Sequence, residues 1–62
     1  MTKLRDLERH LREHGAEIVR EGAKHSVWRS DQAVRPVTVP RHREIPLRTA
    51  QAICKQLGVP PV

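Results

Sequence analysis

Gly22-Ala23-Lys24-His25-Ser26-Val27-Trp28 is the segment from which the architecture of this chain can be worked out. Glycine and alanine supply a turn, and the residues from Lys24 to Ser30 then run as a strand. Upstream, Ala16-Glu17-Ile18-Val19-Arg20-Glu21 carries β-branched residues at its centre within mixed polarity, which reads as the partner strand. Two such runs around a two-residue turn predict an antiparallel hairpin. Alternation along the second strand places Lys24, Ser26, Trp28 and Ser30 on one face and His25, Val27 and Arg29 on the other. Trp28 is the largest apolar group in the chain, so its face is expected to meet the core. His25 then points away from the core, on the same side as Arg29.

The flanking segments complete the pattern. Leu4, Leu7 and Leu11 recur at three- and four-residue spacing and predict a first helix over about residues 2–14, with Thr2 as its cap and Gly15 as its left-handed terminator. Pro36-Val37-Thr38-Val39-Pro40 reads as a third, short strand, and its two prolines suggest a sheet edge or a strand closed off on each side. Arg41-His42-Arg43-Glu44-Ile45 reads as a basic loop. Pro46 opens a last helix whose apolar stripe is Leu47, Ala50, Ile53 or Cys54, and Leu57; Gly58 and Pro60-Pro61 stop it. The order is helix, strand, strand, strand, helix. Two apolar helix stripes are most simply buried on one face of a three-stranded antiparallel sheet, leaving the other face open. The expected fold is therefore α+β, of α-β-β-β-α order, in one domain over residues 1–62.

Composition narrows the function. At 62 residues the chain buries few apolar side chains, so good local structure or a partner must help. One cysteine, Cys54, excludes an intrachain disulfide and suits a reducing cytoplasm. No apolar run approaches the roughly 20 residues of a membrane span, and the N-terminus lacks the apolar core of a signal peptide, so neither a membrane nor export is expected. The net charge is +5 and the pI about 10.7. The acids cluster early, at Asp6, Glu8, Glu13, Glu17 and Glu21. After them only Asp31 and Glu44 stand against Lys24, Arg29, Arg35, Arg41, Arg43, Arg48 and Lys55. A positive excess in the strand and second-helix half favours phosphate-rich partners or an acidic protein.

In this succession the chain resembles the HicA toxins, small ribonucleases of bacterial HicA–HicB toxin–antitoxin systems. Three segments carry the resemblance: Gly22 to Trp28, like the family's turn, histidine and following aromatic; Val37-Thr38-Val39-Pro40-Arg41-His42, like its Val-Pro-x-His segment; and Glu44-Ile45 with the helix ending Ile53-Cys54-Lys55-Gln56-Leu57-Gly58. The resemblance implies a fold similar to a double-stranded-RNA-binding domain, which agrees with the order read from the residues. It also implies that His25 is the catalytic histidine of an mRNA-cleaving enzyme, and that a HicB-like antitoxin covers it.

The chemistry asked of such a site is modest. RNA carries its own nucleophile, the 2′-hydroxyl, so a protein need only move two protons and steady the phosphorane charge, without metal or cofactor. Histidine changes charge near neutral pH and suits the proton transfers. His25 is expected as general base or acid, with His42 as a second proton-transfer group. Lys24, Arg29 or Arg41 is expected to steady the phosphate, and these three with Arg43 and Arg48 to hold the RNA. The other notable residues carry blander expectations. His10 and His14, one turn apart, lack further ligands for tetrahedral zinc and read as helical polar residues. Cys54 reads as a small core residue. Trp28 could stack on a base but is expected in the core. Two other functions compete. A non-catalytic double-stranded-RNA-binding module usually carries a lysine cluster where the last helix begins, whereas Pro46-Leu47-Arg48-Thr49 holds one cation. A protein-interaction module would use the basic face to meet an acidic partner.

Overall fold

A computed structural model describes residues 1–62. The chain runs β1 (Thr2–Lys3), α1 (Leu4–Glu13), β2 (Ala16–Glu21), β3 (His25–Ser30), β4 (Val37–Pro40), β5 (Glu44–Ile45) and α2 (Leu47–Leu57). β2, β3 and β4 form a three-stranded antiparallel sheet with β3 in the centre, so the proline-bounded β4 is indeed an edge. The α-β-β-β-α expectation holds, with one addition: β1 and β5 pair as a separate two-stranded ribbon.

The core is one cluster. Leu7 and Leu11 of α1, Ala50, Ile53, Cys54 and Leu57 of α2, and Ala16, Trp28, Val37 and Val39 from the sheet are all buried in it. At roughly 25 cal/mol per Å2 of apolar surface, such side chains supply most of the driving force available to so short a chain. Trp28 is fully buried at its centre. Its indole Nε1–H donates to Ser26 Oγ at 3.0 Å, and that hydroxyl donates to the Val39 carbonyl at 3.5 Å. The buried polar pair is thereby satisfied, as no buried side-chain nitrogen or oxygen lacks a partner. The Arg12 guanidinium lies 5.1 Å from the Trp28 ring centroid, so cation–π attraction adds to burial, and no indole face is left for a base.

Several expected details change. Thr2 does not cap the first helix: it pairs with Ile45 in the ribbon, α1 begins at Leu4, and the Leu4 N–H finds its acceptor in the Arg43 carbonyl at 2.9 Å. A long-range backbone bond thus does the work expected of a local side chain. Glu44-Ile45 belongs to a strand rather than a loop for the same reason. The hairpin turn takes three residues, Gly22 to Lys24, and the second strand starts at His25. Leu47 is 49% exposed and stands outside the apolar stripe of α2. The expected ends at Gly15 and Gly58 are met: both adopt positive φ, 90° and 74°, the conformation that closes a helix.

Candidate active site at the hairpin

Strand alternation in β3 is as predicted. Ser26, Trp28 and Ser30 are buried, while His25 and Arg29 are exposed on the opposite, open face. β2 contributes to that face through a β-bulge. Ile18 pairs with Trp28 on the inner side, yet Arg20 pairs with Val27 on the outer side, so Val19 is the extra residue. A strand of uninterrupted period two would have turned Arg20 toward the core. The bulge turns it outward instead, beside His25.

The result is a shallow cleft of about 230 Å3 lined by Arg20, Gly22, Ala23, Lys24, His25 and Val27. Two of these are cations and none is a carboxylate. His25 is exposed, and its ring takes part in none of the side-chain hydrogen bonds within the chain. Its backbone is held tightly. The Gly22 N–H donates to the His25 carbonyl at 2.7 Å, and a Cβ built on Gly22 would come within 3.0 Å of that same oxygen. A residue without a side chain is what allows so close a turn. His25 pairs with Pro40 on β4. The following residue, Arg41, is fastened twice to the turn: its N–H donates to the Lys24 carbonyl at 3.0 Å and its Nη1 to the Gly22 carbonyl at 2.8 Å. Arg20 and Lys24 therefore line the cleft of a free imidazole, and Arg41 is fastened to the turn that carries it.

Residues 4–59 match the family described as HicA toxin of bacterial toxin-antitoxin. The chain belongs to the HicA toxin family. The match spans both helices and all three strands of the main sheet, so membership covers the hairpin as well as the core. Comparison with curated proteins and with solved structures gives no match.

Within this HicA-family chain the expected site residues divide into groups. Lys24, His25 and Arg41 come together at the hairpin. Arg29 does not join them. It lies at the other end of β3, where its Nη1 approaches Glu17 at 4.0 Å and its Nη2 approaches Asp31 at 3.6 Å. Two carboxylates thus offset its charge. Arg43 lines a different cleft, with Lys3, Leu4 and Arg5. Arg48 is exposed on the first turn of α2 and lines neither cleft, and His42 is exposed between Arg41 and Arg43. Nothing in the sequence marks Arg20, Lys3 or Arg5 as lining a cleft. No local signal marks a bulge, and nothing near Lys3 announces a strand partner some forty residues away.

The remaining histidines of this family member are engaged elsewhere. His14 Nδ1–H donates to the His10 carbonyl at 2.8 Å, and His10 Nε2–H donates to the Pro60 carbonyl at 2.6 Å. Their rings stand 4.4 Å apart and tie the C-terminal segment to α1. Cys54 is fully buried, and burial pushes its thiol above the ordinary range, with backbone hydrogen bonding pulling the other way. A thiol kept protonated is a poor nucleophile, in keeping with a packing role. No helix is long and apolar enough to cross a membrane.

Proposed function

We propose that this HicA-family toxin is an endoribonuclease that cleaves mRNA, with His25 carrying a proton transfer in the reaction. The observation that supports it is the free, exposed imidazole at the mouth of a cleft whose charged lining, Arg20 and Lys24, is wholly cationic. In the proposed reaction the RNA 2′-oxygen attacks the adjacent phosphorus and the bond from phosphorus to the 5′-oxygen breaks. One group removes the 2′ proton and another protonates the departing 5′-oxygen. His25 performs one transfer. His42 is assigned the other: it lies two residues beyond Pro40, the cross-strand partner of His25. Paired strand residues and two further residues of chain put the two Cα atoms at most about 12–13 Å apart, a span that a bound phosphodiester can fill. Arg20, Lys24 and Arg41 offset the charge that builds on the phosphorane. Toxicity follows from loss of mRNA, and a HicB-like antitoxin neutralises the protein by covering the His25 cleft.

Incubation of the purified protein with RNA in EDTA, followed by analysis of the new ends, tests the reading. The expected products are 2′,3′-cyclic phosphate and 5′-hydroxyl ends. RNA that is retarded on a gel yet intact would favour a non-catalytic binding module, and RNA neither cut nor bound would favour a surface built for an acidic protein. Expression of the wild type is expected to arrest growth, and expression of His25→Ala is not.

A further inference from the structure

A second concentration of positive charge lies where the β1–β5 ribbon meets the start of α1. The cleft there, about 330 Å3, is lined by Lys3, Leu4, Arg5 and Arg43. Three of its four lining residues are cations, and none is needed by the core: all three are exposed. Two carboxylates lie near. Glu44 faces Lys3 across the ribbon, and Asp6 approaches Arg5 Nε at 3.9 Å while also serving Arg9 at 3.5 Å. Lys3 and Arg43 take part in no ion pair. Asp6 therefore offsets part of the charge of Arg5, and the two unpaired cations, Lys3 and Arg43, leave the cleft a net positive charge that suits an anion.

The placement of this cleft relative to His25 is fixed by the backbone. The segment Arg41-His42-Arg43 joins the two sites, and both of its ends are pinned. Arg41 N–H donates to the Lys24 carbonyl at 3.0 Å, and the Arg43 carbonyl accepts from Leu4 N–H at 2.9 Å. Two residues span at most about 7 Å between Cα atoms. One strand of RNA lying along this segment would therefore meet Arg20, Lys24 and Arg41 at one point and Arg43, Lys3 and Arg5 at the next.

We propose that the Lys3–Arg5–Arg43 cleft is a second phosphate-binding site that anchors the RNA backbone away from the scissile bond. The proposal rests on the ribonuclease reading of the His25 cleft and adds to it a sequence-independent grip built by the β1–β5 ribbon. Such a grip acts on strand affinity rather than on bond breaking. It also contributes to the salt dependence of binding, by a slope of roughly 0.7 in log–log form for each phosphate neutralised on a single strand.

The test uses Lys3→Gln/Arg5→Gln beside the wild type, with thermal melts to verify folding. Binding is followed by anisotropy with a 2′-O-methyl oligonucleotide, which lacks the nucleophile, and cleavage with a long RNA and with a dinucleotide. The expected variant binds the oligonucleotide about tenfold more weakly, with a salt slope lower by about 0.7 or more. Its KM for long RNA rises by a similar factor while kcat stays within twofold, and dinucleotide cleavage is the same as in the wild type. Unchanged oligonucleotide affinity and unchanged salt slope in a folded variant would overturn the second site while leaving the nuclease reading intact; so would a variant that keeps RNA binding but no longer associates with an acidic partner protein. A wild type that neither binds the oligonucleotide nor cuts RNA would overturn both.

Discussion

The two ends of β3 expose side chains on the same open face, yet they are electrostatically unlike. At the hairpin end, His25 stands free among Arg20, Lys24 and Arg41, and no carboxylate lines the cleft. At the other end, Arg29 is shared between Glu17 and Asp31. A count of cations alone would rank Arg29 with Lys24. Pairing separates them, because an arginine already facing two carboxylates has less positive potential to offer a phosphate, whereas an unpaired one offers it all. Positive potential on this open sheet is thus set less by where cations are than by where anions are missing.

The contrast can be broken most severely at His25. His25→Ala is expected to lower RNA cleavage by about 10^2–10^4-fold, the usual worth of a proton-transfer group, with the thermal midpoint unchanged because the side chain is exposed and makes no hydrogen bond within the chain. Next comes the cationic frame. Arg20→Gln is expected to slow cleavage by about tenfold, while Arg29→Gln, at the neutralised end, changes it by less than about twofold; single-turnover rates on one RNA would show the difference. Equal losses from the two arginines would erase the distinction between the ends. Beneath the open face, Ser26→Ala leaves the buried Trp28 N–H without its acceptor and is expected to cost about 1–3 kcal/mol in denaturant unfolding, with catalysis per folded molecule retained.

The smallest effect lies furthest from the contrast, at Cys54. Burial holds its thiol protonated in the folded state to higher pH than in the unfolded chain. The folded state therefore binds more protons once pH exceeds the ordinary thiol range, and stability should fall as pH rises through that window. Below it the contribution is fully present. Cys54→Ala should flatten this alkaline decline, read as the change in denaturation midpoint with pH, at the separate cost of a small cavity.

Much of this arrangement could be read from the residues. The apolar periods of the helices, the glycine turn and the alternation around Trp28 led to the α-β-β-β-α order and turned His25 outward, because each is a local signal of period 3.6 or 2. What escaped was non-local. The ribbon pairs two residues with two others about forty positions away, too little chain for a pattern. It displaced Thr2 from its expected cap, made a strand of Glu44-Ile45 and drew Arg43 away from the hairpin toward Lys3. The bulge at Val19 interrupts a strand whose composition reads as regular, so no local pattern puts Arg20 beside His25. The partners of Arg29 lie on a neighbouring strand and in a loop, which only the register brings together.

Chemical rescue examines the role of the hairpin imidazole most directly. The His25 cleft is open and holds a ring of that size, so free imidazole can enter it when the side chain is removed. Single-turnover cleavage by His25→Ala, measured in EDTA against rising imidazole, is predicted to start near zero and to recover with imidazole concentration, yielding the same cyclic-phosphate ends as the wild type. Cleavage by the variant at the parental rate without imidazole would contradict the account.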